Sequence, residues 1–333
     1  MKVNKFYMAH FVLWLSLLCM PLAWSAEPPA EANSSYGLVK SMTEAMRDKN
    51  YSGTFIYRHA DKLETLKITH RRTSQGVNEK LVALSGEPRE ILRDEKGVIC
   101  VWPKNRVVVV DKNQSKSQFP GLVPDNIDRV REYYRFELGG ADRIADRNCK
   151  IVNIVSKDQF RFSYRLWIDA NEHLLVKSQL LDDDKVIEEV IFTQLDRHDK
   201  LPDSIFESQY ASEDFKRHEL KGADSSPVLG ESLWQFKQLP AGFAISVHQQ
   251  RVRKQDNALI EHMVLSDGLA AVSVFVSPAG MRQHLPAGSG KRGAINSYST
   301  EVDKHTVTVM GEVPAVTVRY IAEGVKMNEQ HRP

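Results

Sequence analysis

Apolar residues along the 333-residue chain recur first at helical and then at strand spacing. After Ser34-Ser35, a helix start, Val39, Met42 and Met46 fall at i, i+3 and i+7. That spacing predicts one apolar helix face running to about Lys49. The period then shortens to two. Tyr51, Gly53, Phe55 and Tyr57 share one face of a strand, and Leu66, Ile68 and His70 share a face of the next. Further strands are expected at Lys80–Leu84, Glu90–Arg93, Val98–Trp102 and Arg106–Val110. The turns between them, such as Ser85-Gly86-Glu87-Pro88 and Asp94-Glu95-Lys96-Gly97, are too short for crossover helices, so the sheet is antiparallel. A polar loop at 111–124 precedes a short helix over Asp125–Tyr134, with Asp125 as its cap. Four more strands follow at Ile144–Val155, Phe160–Trp167, Leu174–Leu181 and Val186–Gln194. A sheet this large must curl or close, and the helix over 34–49 is its natural plug.

Periodicity fades over 195–231, where Lys221-Gly222-Ala223-Asp224-Ser225-Ser226-Pro227 reads as a mobile linker that a partner could order. A smaller module occupies 232–327. Its strands are expected at Phe243–Arg253, Ala258–Leu265, Ala270–Val276 and Thr306–Met310, with a Gly-rich loop over Pro286–Gly293. Pro314 opens a helix carrying Val318, Ile321 and Val325 on one face. The fold class is α+β: a large curled antiparallel sheet with helices, then a smaller α+β C-terminal domain.

The N-terminus alters the charge balance. Lys2 and Lys5 precede an apolar run from Phe11 to Leu22, and Ala23-Trp24-Ser25 supplies small residues at −3 and −1. Residues 1–25 therefore read as an export signal cleaved after Ser25. The run is too short for a membrane span, and Leu18 before Cys19 argues against a lipoprotein site. The chain has 45 Lys and Arg against 43 Asp and Glu, and the two surplus cations lie in the leader. The exported protein is neutral, so no global field draws in nucleic acid. Its two thiols, Cys100 and Cys149, can pair in an oxidising compartment or stay buried and free; sequence leaves both open.

Searches for catalytic chemistry return nothing. Gly288-Ser289-Gly290-Lys291-Arg292 lacks the first glycine and the hydroxyl residue of a phosphate loop. The eleven histidines show no metal-binding spacing, no serine sits in a nucleophile elbow, and no cofactor motif is present. The expectation is a binding protein, not an enzyme. Phe55, Tyr57, Leu66, Ile68, Val101, Tyr164 and Leu166 are candidates for an apolar concave face, which either packs as a core or holds a ligand. Arg251, Arg253, Lys254, Lys291 and Arg292 are the densest cations of the second module and candidates for contact with a partner or a lipid head group.

Several blocks carry a family resemblance. Arg143-Ile144-Ala145-Asp146-Arg147 with Cys149 and the strands to Asp169 resembles the N-terminal domain of the RseB/MucB family of periplasmic sigma-E regulators. Leu239-Pro240-Ala241-Gly242-Phe243 and Ser266-Asp267-Gly268-Leu269 are similar to that family's C-terminal domain, and Gly311-Glu312-Val313-Pro314 with Arg319-Tyr320-Ile321-Ala322-Glu323 to its final helix. The resemblance implies a half-barrel first domain like the carriers LolA and LolB over 26–194, a linker over 195–231 and a partner-binding domain over 232–327. It implies binding to the periplasmic region of an RseA/MucA-type anti-sigma factor, shielding it from a DegS-type protease, with release by lipopolysaccharide or a lipoprotein acyl chain. A lipid carrier without a regulatory role is the alternative, and a homodimer stays open. The resemblance gives no basis for a Cys100–Cys149 bridge.

Overall fold

The computed structural model describes residues 34–112, 127–210, 214–220, 232–253, 258–279 and 288–328; the expected export signal over 1–25, residues 113–124 of the expected loop and Lys254 lie outside them. Helix α1 (Ser35–Asp48) forms where the i, i+3, i+7 pattern predicts it. The Ser34 hydroxyl caps it by accepting from the Gly37 N–H at 2.9 Å, and Lys49 ends it in an extended conformation. Six strands follow: β1 (Asn50–His59), β2 (Lys62–Thr73), β3 (Gly76–Ala83), β4 (Glu90–Asp94), β5 (Gly97–Trp102) and β6 (Val107–Asp111). Helix α2 is a single turn (Ile127–Val130). It leads into β7 (Tyr134–Ile144), β8 (Arg147–Ser156), β9 (Ser163–Asp169), β10 (Leu175–Asp182) and β11 (Lys185–His198).

Two expectations change here. Tyr134 opens a strand instead of ending a helix, and the expected strand Ile144–Val155 is the return arm of the β7–β8 hairpin. Its tip is Ala145-Asp146, with φ of 49° and 61° at the two residues. That doubly left-handed turn usually carries Asn-Gly, so Ala-Asp gives no turn signal.

Part of the expected linker is ordered, while its middle, Lys221–Pro227, lies outside the described residues. Residues Leu195–His198 continue β11, a 3₁₀ turn spans Asp203–Phe206, and β12 (Lys216–Leu220) pairs in parallel with β6. Lys80 and Arg71 tie this segment to the sheet through the carbonyls of Glu207 and Leu201. The resulting twelve-stranded sheet runs β12-β6-β5-β4-β3-β2-β1-β11-β10-β9-β8-β7, antiparallel at every step except β12–β6. Its concave side encloses α1, whose Leu38, Val39, Met42 and Met46 are buried against it.

The second module holds β13 (Trp234–Phe236), β14 (Ala244–Arg253), β15 (Ala258–Ser266), β16 (Ala271–Pro278), β17 (Gly288–Arg292), β18 (Ile295–Val302), β19 (His305–Gly311), helix α3 (Ala315–Gly324) and β20 (Val325–Met327). Six of the strands make one sheet, ordered β14-β15-β16-β19-β18-β17, and β13 pairs with β20. Gly288–Arg292 is thus an edge strand and not the flexible loop its glycines predict. Its partner β18 escaped prediction because Asn296, Ser297, Ser299 and Thr300 break the apolar alternation. Val318 and Ile321 of α3 face the core as expected, while Val325 has passed into β20.

Candidate functional site: the concave face and the seam between modules

The concave face is set by register. Tyr51, Gly53, Phe55 and Tyr57 point inward from β1, opposite His70, Ile68, Leu66 and Glu64 of β2. Phe192 of β11 pairs with Phe55, their ring centroids 5.3 Å apart. Gly53 makes room for that aromatic pair, since a Cβ there would meet the Phe192 ring and the Gln194 carbonyl at 2.7 Å. Tyr164 and Leu166 enter the same cluster from β9. Of the seven predicted groove residues, Phe55, Leu66, Ile68, Tyr164 and Leu166 are buried together beneath α1, and Tyr57 lies half-buried against them.

Val101 does not join them. It pairs with Glu90 and Val108 and packs with Val108, Val110, Ile99, Leu92 and Phe215 on the opposite face of the sheet. The inward positions of that stretch are Leu81, Ile91, Cys100 and Val109, which stand in register across β3–β6 and are half-exposed. Sequence missed them because Val98-Ile99-Cys100-Val101 and Val107–Val110 are apolar on both faces, so alternation is silent there. The concave face therefore has two halves. One is packed by α1, and the other is an open apolar strip.

Buried polar groups close one end of the packed half. The His70 ring stacks on Tyr51 at 4.7 Å, and its Nδ1 lies 3.0 Å from the Lys49 carbonyl. Its Nε2 is 3.9 Å from Glu79, which Arg93 holds at 2.8 Å. Burial pushes the His70 pKa down to about 4, keeping the ring neutral. Burial likewise raises both thiols, Cys149 to about 11. Cys100 and Cys149 are free, on strands eight steps apart in the sheet order, and no bridge joins them.

The second module docks on the first through a buried ionic seam. Arg161, between β8 and β9, donates from Nε to Asp267 Oδ2 at 2.5 Å, and neither side chain is exposed to solvent. Its other nitrogens reach Asp158 and the Ala241 carbonyl. The rings of Tyr133 and Phe243 lie 4.8 and 4.9 Å from its guanidinium. Gly242 sits at φ +84° against Tyr133, where a Cβ would collide with the ring. Thr317 Oγ1 donates to the Phe160 carbonyl at 2.8 Å, and Ala294 and Leu269 pack into the first module's core. This seam uses Asp267-Gly268-Leu269 and Pro240-Ala241-Gly242-Phe243, whose apolar and turn character does not reveal an ionic partner in the other module.

The four predicted cations that lie within the described residues are split between two strands. Arg251 and Arg253 belong to β14, and the exposed Lys291 and Arg292 to β17, at opposite edges of the six-stranded sheet. Five strand spacings separate those edges, about 24 Å. No group of three His, Cys, Asp or Glu among the described residues could hold a metal. His248 and Ser232 both bond to Glu261 Oε1, so the hydroxyl is turned toward a carboxylate, not toward an imidazole that could activate it.

This two-module plan matches known proteins along nearly its whole length. A profile of the MucB/RseB N-terminal domain matches residues 34–210, and one of the MucB/RseB C-terminal domain matches residues 229–326. The chain belongs to the MucB/RseB family. The sigma-E factor regulatory protein RseB of Haemophilus influenzae is 27% identical over 320 residues, covering 96% of this chain and 99% of that protein. The sigma factor AlgU regulatory protein MucB of Pseudomonas aeruginosa is 25% identical over 324 residues, covering 93% and 96%. The fold is that of MucB as solved in the Pseudomonas aeruginosa MucA/MucB complex: TM-score 0.69 at 22% identity, covering 88% of this chain and 99% of that one. These relatives are named as regulatory proteins, not as enzymes.

Proposed function

We propose that the protein is a periplasmic negative regulator of an envelope-stress, sigma-E-type response. It binds the periplasmic region of a membrane-spanning anti-sigma factor and shields that region from regulated proteolysis. The supporting observation is the match to both MucB/RseB domains within one chain, on the fold that MucB adopts in its complex with MucA. The export signal at 1–25 supports the compartment. A binding role without catalysis fits the names of the relatives and a surface whose concave features are apolar.

Lipid is the release signal in this reading. An acyl chain of about a dozen carbons contributes roughly 10 kcal/mol gross on burial. Leu38, Val39, Met42 and Met46 of α1 contribute roughly 6–12 kcal/mol to the packed half. The two are comparable, so a chain entering along Leu81, Ile91, Cys100 and Val109 can compete with α1 for the concave face. The seam at Arg161–Asp267 would transmit that change, since a coupling of only about 1–3 kcal/mol links typical pairs of sites.

Retention of the cognate anti-sigma periplasmic segment by immobilised full-length protein tests the binding, and elution by lipopolysaccharide tests the release. An anti-sigma segment that flows through overturns the regulator reading. Retention unaffected by lipid overturns the release signal alone.

A further inference from the structure

The two large sheets present four edge strands, and three of them are protected against pairing with another chain. Edge β12 is five residues long and shows Lys216, Arg217, His218 and Glu219 to solvent. Edge β17 is equally short, built from Gly288-Ser289-Gly290-Lys291-Arg292. Edge β7 is long but interrupted by a bulge between Leu138 and Ala141 and studded with Arg135, Glu137, Asp142 and Arg143. Short length, bulges and charge are the usual means of blocking edge-to-edge pairing.

Edge β14 lacks most of this protection. It is ten residues long, and its one bulge, at Ile245–Val247, leaves Val247–Arg253 in unbroken register with Ala258–Val264. Ile245, Val247 and Val252 are 47%, 40% and 57% exposed, three branched apolar side chains on one open edge. No described strand pairs with its outer side. Its charge has one sign: Arg251 and Arg253, with no carboxylate along the strand. Glu261 of the neighbouring β15 is taken up by His248 at 2.6 Å.

We infer that β14 is the docking edge for an extended, acidic segment of the anti-sigma partner, which adds to the six-stranded sheet as a seventh strand. The inference rests on the regulator reading above. Main-chain hydrogen bonds supply the affinity of such an addition, and alternate side chains supply the specificity. The segment that fits is apolar where it passes Val247 and Val252 and acidic along the basic C-terminal half of the strand. A second copy of this chain fits less well, because pairing β14 with itself sets one basic strand against another.

The test is hydrogen exchange on the full chain with and without the purified periplasmic segment of the cognate anti-sigma factor, alongside the exposed double variant Val247→Glu, Val252→Glu. Exchange of the amides over 247–253 should slow on binding, and the double variant should bind ~10-fold more weakly or worse with an unchanged melting temperature. A wild-type chain that binds while those amides stay unprotected, or a variant that binds equally well, overturns the docking edge and leaves the regulator reading intact. Protection of 247–253 without the segment, rising with protein concentration, overturns it in favour of a second copy. A wild-type chain that does not bind the segment overturns both.

Discussion

Arg161 of the first module and Asp267 of the second form a fully buried ion pair, 2.5 Å from Nε to Oδ2. The Tyr134 hydroxyl adds a second donor to the same carboxylate oxygen at 3.3 Å. A buried charge that loses its partner keeps its desolvation cost, so breaking the pair is far worse than removing it. Asp267→Asn or Arg161→Met alone should destabilise by ~3–5 kcal/mol, while the double variant should recover much of that loss. Urea titrations of the single and double variants measure it. A loss in the double variant equal to the sum of the two single losses would show that the pair is not coupled.

The seam also depends on a position without a side chain. Gly242 combines a left-handed backbone with close approach to the Tyr133 ring. Gly242→Ala should therefore loosen the docking of the modules while leaving each core in place. Limited proteolysis checks this: release of the two modules as separate fragments should speed up in the variant, with the fragments themselves resistant.

His70 predicts an acid limb of the stability curve. Its pKa is about 4 in the fold against 6.5 for an unperturbed ring. The unfolded chain binds a proton below 6.5 that the folded chain refuses until about 4, so stability is full above that window and falls as pH drops through it. The shift corresponds to about 3 kcal/mol. Thermal melting between pH 7 and 4 should show the fall, and His70→Gln should flatten it. A profile unchanged by the substitution contradicts the assignment.

The two thiols should be inert. Burial raises Cys149 to about 11 and holds Cys100 above its ordinary value, so little thiolate exists at pH 8 in either. Thiol titration of the chain without its first 25 residues should be slow at Cys100 and slower at Cys149, with two equivalents released on unfolding. Fewer than two equivalents without reductant would mean a disulfide.

Much of the fold was legible because α1 and β1 obey their periods cleanly: Met42 and Met46 against Tyr51, Phe55 and Tyr57 switch from helical to strand spacing within ten residues. Legibility failed where a local signal was missing. Ala145-Asp146 turns the chain without asparagine or glycine, and the valine-rich β5 and β6 leave Val101 and Cys100 indistinguishable until register assigns them to opposite faces. The seam was invisible for a different reason. Arg161 and Asp267 are 106 residues apart, and each reads alone as an ordinary surface charge. The packing of α1 into the sheet, by contrast, followed from the need to cover an apolar concave face.

If this chain shields an anti-sigma factor, binding it should protect the partner's periplasmic segment from proteolysis. The periplasmic segment of the cognate anti-sigma factor is exposed to its site-specific DegS-type protease with and without a stoichiometric amount of the full-length protein, and cleavage is followed in time. Cleavage should slow strongly in the presence of the protein and recover when lipopolysaccharide is added. Cleavage at the same rate with and without the protein contradicts the shielding.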